Sequence, residues 1–233
     1  GAEYQAYLTA KFFLKKGYNV NFISIGDRDE IIKKDRFTIY YIKGRNFLRK
    51  FGKAFFFDFY KIFKILNTIE PDIIYQRTAI SWCGLGAYWA KINNKTFIYF
   101  GALDKDFKKN TLSIDKNYLF NSIDRKIYEY GLKEASYVVC QSEEQSYDLK
   151  NNFGINSDLI LRNVHKIPNS LYEKSDIFTI VWVANFHIKK RPSKFIELAN
   201  KLREDDIKLI MIGRPAEYKR QKKYNKDIKD LNN

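Results

Sequence analysis

Residues 178–213 constrain the fold of this 233-residue chain more than any other stretch. They open on an apolar run, Phe178 to Val183, that suits a strand buried on both faces. A basic loop follows from His187 to Arg191, and Pro192 then fits the first turn of a helix, where its missing N–H costs nothing. Phe195, Leu198, Ala199 and Leu202 recur at the spacing of one helix face. Leu209, Ile210, Met211 and Ile212 form a second buried strand, closed by Gly213. Strand, helix and strand in about 35 residues predict a βαβ unit with a parallel strand pair. Ligands of such a unit meet the carboxyl ends of the strands and the amino end of the helix. Lys189, Lys190 and Arg191 fall there, beside backbone N–H groups left over at a helix start. The chemistry is anion binding, phosphate above all; the alternative is a solvated basic loop.

The same alternation runs through the preceding residues. Ala6, Ala10, Phe13 and Leu14 outline a helix face, Gly17 closes it, and residues 20–25 read as a strand. Residues 26–36 read as a charged loop and 37–42 as a short strand. A helix is predicted over 46–69, with Leu48, Phe51, Phe55, Phe59, Ile62 and Leu66 on one stripe. Strands follow at 71–77, at 96–100, within the turn, strand and helix start of 133–142, and at 158–163. Between them lie a helix with Trp82, Leu85 and Trp89 inward and a helix over 117–132 with Ile123, Ile127 and Tyr130 inward. Gly84 and Gly86 allow close helix–sheet packing, and Ser142 with Gln145 makes a capping box. The pattern predicts an α/β fold: a Rossmann-like parallel sheet with helices on both faces over 1–164, a linker over 165–176, and the start of a second Rossmann-like domain over 177–233. The opening helix and strand read as the second half of a βαβ unit whose first strand is missing. The last segment, with two strands and one helix, is too small to enclose a core. A fragment cut at both ends is the expectation.

The formal net charge of +15 implies anionic partners: phosphorylated substrates, nucleic acid or an acidic membrane face. Lys50, Lys53, Lys61 and Lys64 gather on the side of the 46–69 helix opposite its apolar stripe, with Phe57 among them. That is the pattern of a helix lying on an anionic membrane, or of an ordinary amphipathic helix with one exposed ring. No apolar run approaches a membrane span, the two cysteines make no disulfide framework, and the two histidines have no metal-ligand spacing. A reducing cytoplasmic setting is the simplest reading.

Residues 183–191, reading Val-Ala-Asn-Phe-His-Ile-Lys-Lys-Arg, with Pro192, Phe195 to Ala199 and Met211 to Arg214, resemble the opening of the C-terminal domain of family 4 glycosyltransferases. These are retaining enzymes of the GT-B architecture. The resemblance places Lys190 on the family lysine that binds the donor diphosphate. It places Asn185 where an arginine is usual, with Lys189 or Arg191 as compensating charges, and Arg191 where glycine is usual. Gly213 falls in the family's Gly-x-Gly segment. Gly1-Ala2-Glu3 matches the end of a Gly-Gly-x-Glu loop close to donor and acceptor. Gln76 and Arg77 end the Pro-Asp-Ile-Ile strand that leads to the cleft; Arg77 binds an acceptor phosphate or forms a surface ion pair. Asp104 and Asp106 stand where many members have a histidine at the transferred sugar, and either contact sugar or acceptor hydroxyls or serve the loop itself. Ser142 lies near the donor or only caps its helix. Asn163 falls on the asparagine of the family's Pro-Asn segment.

The resemblance implies a nucleotide-sugar donor held mainly by the second domain, a glycan or lipid-linked acceptor held by the first, and retention without a divalent metal or other cofactor. It implies cell-surface polysaccharide synthesis by a cytoplasmic, membrane-peripheral enzyme. The family's Glu-(seven residues)-Glu motif does not occur up to Asn233, so the 233 residues alone are expected to be inactive. Two other readings stand beside this one. One is a non-enzymatic basic α/β domain that binds nucleic acid or anionic membrane. The other is an enzyme of related architecture that uses a simple sugar phosphate.

Overall fold

The computed structural model describes residues 2–44, 55–108, 118–165, 167 and 176–214. The chain divides into two compact units, Gly1–Lys166 and Ile167–Asn233.

In the first unit, helix α1 (Ala2–Lys15) leads into β1 (Val20–Gly26). Gly17, at φ 90°, ends α1: its N–H bonds Leu14 O and the N–H of Tyr18 bonds Phe13 O. A left-handed glycine thus satisfies carbonyls the helix cannot. The charged loop expected over 26–36 instead contains strand β2 (Glu30–Lys34), antiparallel to β3 (Phe37–Lys43). Its β-branched Ile31 and Ile32 favour extended backbone. Asp35 turns the hairpin at φ 50°, a conformation aspartate tolerates. β1 runs parallel to β3, giving the order β1-β3-β2.

After a 3₁₀ turn at Phe55–Asp58 comes α2 (Phe59–Ile69), which buries Ile62 and Leu66 as the predicted stripe requires. The second sheet holds β4 (Ile73–Arg77), β5 (Thr96–Phe100), β6 (Tyr137–Cys140) and β7 (Leu159–Ile160), all parallel and in that order. The crossovers are α3 (Trp82–Ile92), α4 (Tyr118–Lys133) and α5 (Glu143–Phe153). The Rossmann-like expectation holds for this sheet and its helices.

Two cores form. Ile42, Ile62, Leu66, Leu85 and Trp89 join α2 and α3 to β3. Phe97, Tyr99, Tyr128, Leu132, Val138 and Leu149 join α4 and α5 to the middle strands. The inward tyrosine of α4 is Tyr128, not Tyr130. The reason is Gly131, whose missing side chain lets α4 lie against the backbone of Cys83 and Gly84 on α3, rotating Tyr128 under the sheet. Gly86 does face the sheet, against Phe97 and Ile74, whereas Gly84 faces Ile127 of α4.

Cys83 and Cys140 are fully buried. Burial raises the Cys83 thiol well above its ordinary pKa and pushes Cys140 up to about 12. The thiolate is the reactive species. Neither cysteine should therefore react with a disulfide reagent near about pH 8 in the folded chain, and both should react on unfolding. Prompt labelling of either in native buffer would contradict this packing.

The second unit pairs β8 (Thr179–Val183) with β9 (Lys208–Ile212) in parallel across α6 (Pro192–Lys201), which is the predicted βαβ unit. Its strands are not buried on both faces as expected, because a two-stranded sheet with one helix covers too little of them: Phe178 is 67% and Val183 70% exposed. Trp182 stacks on Phe186 with ring centroids 5.5 Å apart, and Phe195 of α6 closes the cluster from 6.4 Å.

Candidate functional site

Because β4 to β7 are parallel, their carboxyl ends open on one edge, where the backbone leaves the sheet and polar groups collect. Arg77 ends β4. Its guanidinium lies 4.3 Å over the Phe100 ring, and Nη2 donates to Asn163 Oδ1 at 3.1 Å. Its Nε is buried and donates to no hydrogen-bond acceptor among the described residues. The side chain is thus held by stacking, by the Asn163 amide and by a 3.5 Å contact of Nη2 with Gly101 O. Of the two alternatives the sequence left open, the surface ion pair does not form with any described residue. Thr78 follows at φ 90°, an uncommon conformation for a β-branched residue that bends the chain away from the sheet. Gln76 is half-buried, with Nε2 3.5 Å from Arg77 O.

The next strand ends at Gly101, where a side chain would meet the Phe107 ring. Its carbonyl accepts from Gln141 Nε2 at 2.6 Å. Gln145 ties this edge together: its Oε1 accepts from Gln141 N at 2.9 Å and its Nε2 donates to Asp104 Oδ1 at 3.0 Å. Ser142 caps α5 by accepting from Gln145 N at 3.2 Å. The capping box is therefore half formed, since the Gln145 side chain reaches one residue further back and binds the 3₁₀ turn Asp104–Phe107.

The two aspartates of that turn part company. Asp104 is exposed. Asp106 is 1% exposed, and its Oδ2 accepts from Ala102 N at 2.9 Å and Leu103 N at 3.0 Å. A sugar cannot reach it; its role is to staple the loop, as a short carboxylate opposite two adjacent amides does well. Burial raises its pKa, opposed by those two amides. A raised carboxyl contributes stability in full below its unfolded pKa and loses it as pH rises through the folded value. Asp106→Asn keeps an acceptor for both amides and removes the charge. Variant minus wild-type unfolding free energy should rise with pH across the carboxylate range and then level off. Urea melts giving a pH-independent difference would contradict the assignment.

Gln5 of α1 is buried and bonds both backbone groups of Val164, donating at 2.8 Å and accepting at 3.0 Å. This holds the amino half of α1 beside the segment that carries Asn163. Gly1 and the Glu3 side chain lie outside the described residues. Gln5, Gln141 and Gln145 were not singled out from sequence as site residues. Gln141 has a readable signal, its place just past an apolar run ahead of a helix cap.

In the second unit an open cavity of about 360 Å³ lies at the carboxyl ends of β8 and β9, walled by Val183, Ala184, Asn185, Ile212, Gly213 and Arg214. The N–H of Ala184 bonds Ile212 O and the N–H of Phe186 bonds Arg214 O, so the two strand exits run side by side. A side chain at 213 would collide with Ala184 O, which makes glycine obligatory at that wall. The structure brings Asn185 and Gly213 together with Arg214, a cation whose position after an apolar strand and a glycine could have singled it out. Lys190 and Arg191 are exposed and do not line this cavity. Lys190 ends the 3₁₀ turn Ile188–Lys190, its N–H bonded to His187 O at 2.7 Å. The Lys189 side chain lies outside the described residues.

The basic face read on 46–69 is altered. Lys50 and Lys53 lie outside the described residues. Phe57 is half-buried with its ring 4.5 Å from that of Phe56, and Lys61 is held by Asp29 at 2.7 Å. Lys64 remains exposed, and the exposed ring beside it is Tyr60.

The parallel sheet flanked by helices defines the first unit as a Rossmann-like domain, with polar groups at the carboxyl edge of its strands. The profile of the family described as glycosyl transferase 4-like matches residues 4–142, more than half of the chain. The chain belongs to that family and is a glycosyltransferase with a sugar donor and an acceptor as its partners. No curated protein matches it. Among the described residues, no helix is long and apolar enough to cross a membrane.

Proposed function

We propose that the chain carries the acceptor-side domain and the opening of the donor-side domain of a retaining, hexosyl-type transferase. It takes a nucleotide-sugar and elongates a glycan or lipid-linked acceptor in cell-surface polysaccharide synthesis at the cytoplasmic face of a membrane. The observation that carries the donor half is the cavity at the carboxyl ends of β8 and β9, where Asn185, the bare backbone of Gly213 and Arg214 adjoin. Such a wall suits a phosphate, which needs close backbone approach and a nearby cation. Lys190, with Lys189 and Arg191 beside it, neutralises the diphosphate as the anomeric carbon–oxygen bond breaks, which is electrostatic stabilisation of a leaving group. Lys190 supplies this counter-charge, and the proposal invokes no metal.

On the acceptor side, Arg77 binds an anionic acceptor group, supported by its stacking on Phe100 and its bond to Asn163. Gln76 and the amino half of α1, fastened to Val164 by Gln5, border it; Gly1 and Glu3 are assigned to the acceptor by the family resemblance alone. Asp104 contacts a sugar or acceptor hydroxyl. Asp106 and Ser142 support it through the loop and helix they fasten.

The test uses the full-length polypeptide encoded by the gene that carries this sequence. It is incubated with a panel of labelled nucleoside diphosphate sugars and a membrane extract as acceptor. Label should move to acceptor from one member of the panel, and the product should keep the donor's anomeric configuration. Inverted product, or transfer only from simple sugar phosphates, would sink the proposal.

A further inference from the structure

We propose that the carboxyl end of α1 and the tip of the β2–β3 hairpin form one docking surface for an anionic phospholipid membrane. The two segments are joined: Arg36 Nη1 donates to Gly17 O at 3.1 Å, and Val20 N to Arg36 O at 2.8 Å. Lys15, Lys16, Lys33, Lys34 and Arg36 are all exposed, and Lys33 and Lys34, on opposite faces of the edge strand, flank the hairpin tip. None of the four lysines ion-pairs with a described residue. The neighbouring acids Asp29 and Glu30 are already held by Lys61 and Arg28, which leaves Asp35 as the local counter-charge.

Apolar groups stand among these cations. Phe12 is 56% exposed and Tyr18 57% exposed, linked by the Phe13 ring at 5.6 and 5.5 Å. Lys16 Nζ sits 5.8 Å over the Phe12 ring. Ile31 and Ile32, the neighbours of Lys33, are exposed on the same hairpin. Rings and aliphatic side chains between lysines match the boundary between headgroups and acyl chains, where cations meet lipid phosphates while apolar groups sink a few ångströms deeper. A nucleic acid would use the cations but has nothing to offer the isoleucines. Gln5, which fastens α1 beside the Asn163 edge, is about 16 Å along the helix from Lys16. A membrane gripped at this end leaves that edge open. The inference rests on the membrane location in the proposed function but not on its chemistry, so vesicle binding and sugar transfer can fail separately.

Sedimentation of the 233-residue chain with vesicles tests it. The chain should bind phosphatidylcholine vesicles carrying about 30% phosphatidylglycerol, and pure phosphatidylcholine vesicles far less. Neutralising the patch with Lys15→Gln, Lys16→Gln, Lys33→Gln and Lys34→Gln should lower partitioning about a hundredfold. The matched set Lys105→Gln, Lys126→Gln, Lys133→Gln and Lys150→Gln, exposed on other elements of the first unit, should change it by about twofold at most. Phe12→Ser with Tyr18→Ser should lower it about tenfold, and the loss should persist at high salt. All these side chains are exposed, so unchanged thermal melts are expected; if the aromatic pair unfolds, the two lysine sets decide. Absence of binding, or equal losses from both lysine sets, would overturn the proposal. So would RNA displacing the vesicles while the aromatic variants bind normally, which would assign the surface to nucleic acid.

Discussion

Gly84→Val is expected to unfold the first unit or come close to it. The position faces the carbonyl oxygen and Cγ2 of Ile127 across the α3–α4 contact, and from α4 Gly131 faces the backbone of Cys83 and Gly84. Two helices meet through glycines, so the obstacle to any added side chain is largely main chain, which cannot rotate aside. Overpacking costs about 1–3 kcal/mol where side chains yield, and more where backbone must move. A loss of about 4 kcal/mol or more is therefore expected, a large part of the stability of an ordinary domain. Gly131→Val should behave alike. Gly154, at φ 73° with open space around its Cα, is the comparison: Gly154→Ala should cost only about 1 kcal/mol, from backbone conformation alone. Denaturant melts followed by circular dichroism read both effects. A Gly84→Val melt resembling that of Gly154→Ala would show that the helices can separate cheaply.

Lys190→Met should have the largest effect on activity. It keeps the stem of the side chain and removes the ammonium group from a solvent-facing 3₁₀ turn, so folding should be untouched. Losing one electrostatic contact to the developing charge of the leaving diphosphate is expected to lower kcat in the full-length polypeptide by about a hundredfold to a thousandfold. Lys190→Arg, which restores charge in a different shape, should recover part of the rate. Full activity in Lys190→Met would move the task to Arg214 or Arg191.

Much of this architecture was legible because it rests on periodicity. The βαβ unit of residues 178–213, the α2 stripe through Ile62 and Leu66, and the glycine ends of α1 and α5 all follow from local pattern. What escaped depended on contacts distant in sequence. Tyr128 rather than Tyr130 is inward because Gly131 meets α3, which helical spacing alone does not reveal. β2 was hidden by its charges, since an edge strand needs few buried residues. Phe57 turned inward against Phe56.

At the edge of the sheet, sequence could not divide Asp104 from Asp106. Only the fold places the amides of Ala102 and Leu103 around one of them. Arg77 was legible as a strand-end cation, but its partner Asn163 and its stacking on Phe100 required tertiary structure. Arg191 carries a different lesson. It stands where family 4 members usually have glycine, and its backbone is left-handed, with φ 50°. Glycine adopts that conformation without the cost a side chain incurs.

In the proposed reaction the second unit grips a diphosphate through the charge at position 190. Inhibition of transfer by nucleoside diphosphate and by the matching nucleoside monophosphate, in wild type and in Lys190→Met, tests it most directly. Wild type should favour the diphosphate by about tenfold or more, and the variant should lose most of that preference while binding the monophosphate unchanged. An undiminished preference in Lys190→Met would contradict the account.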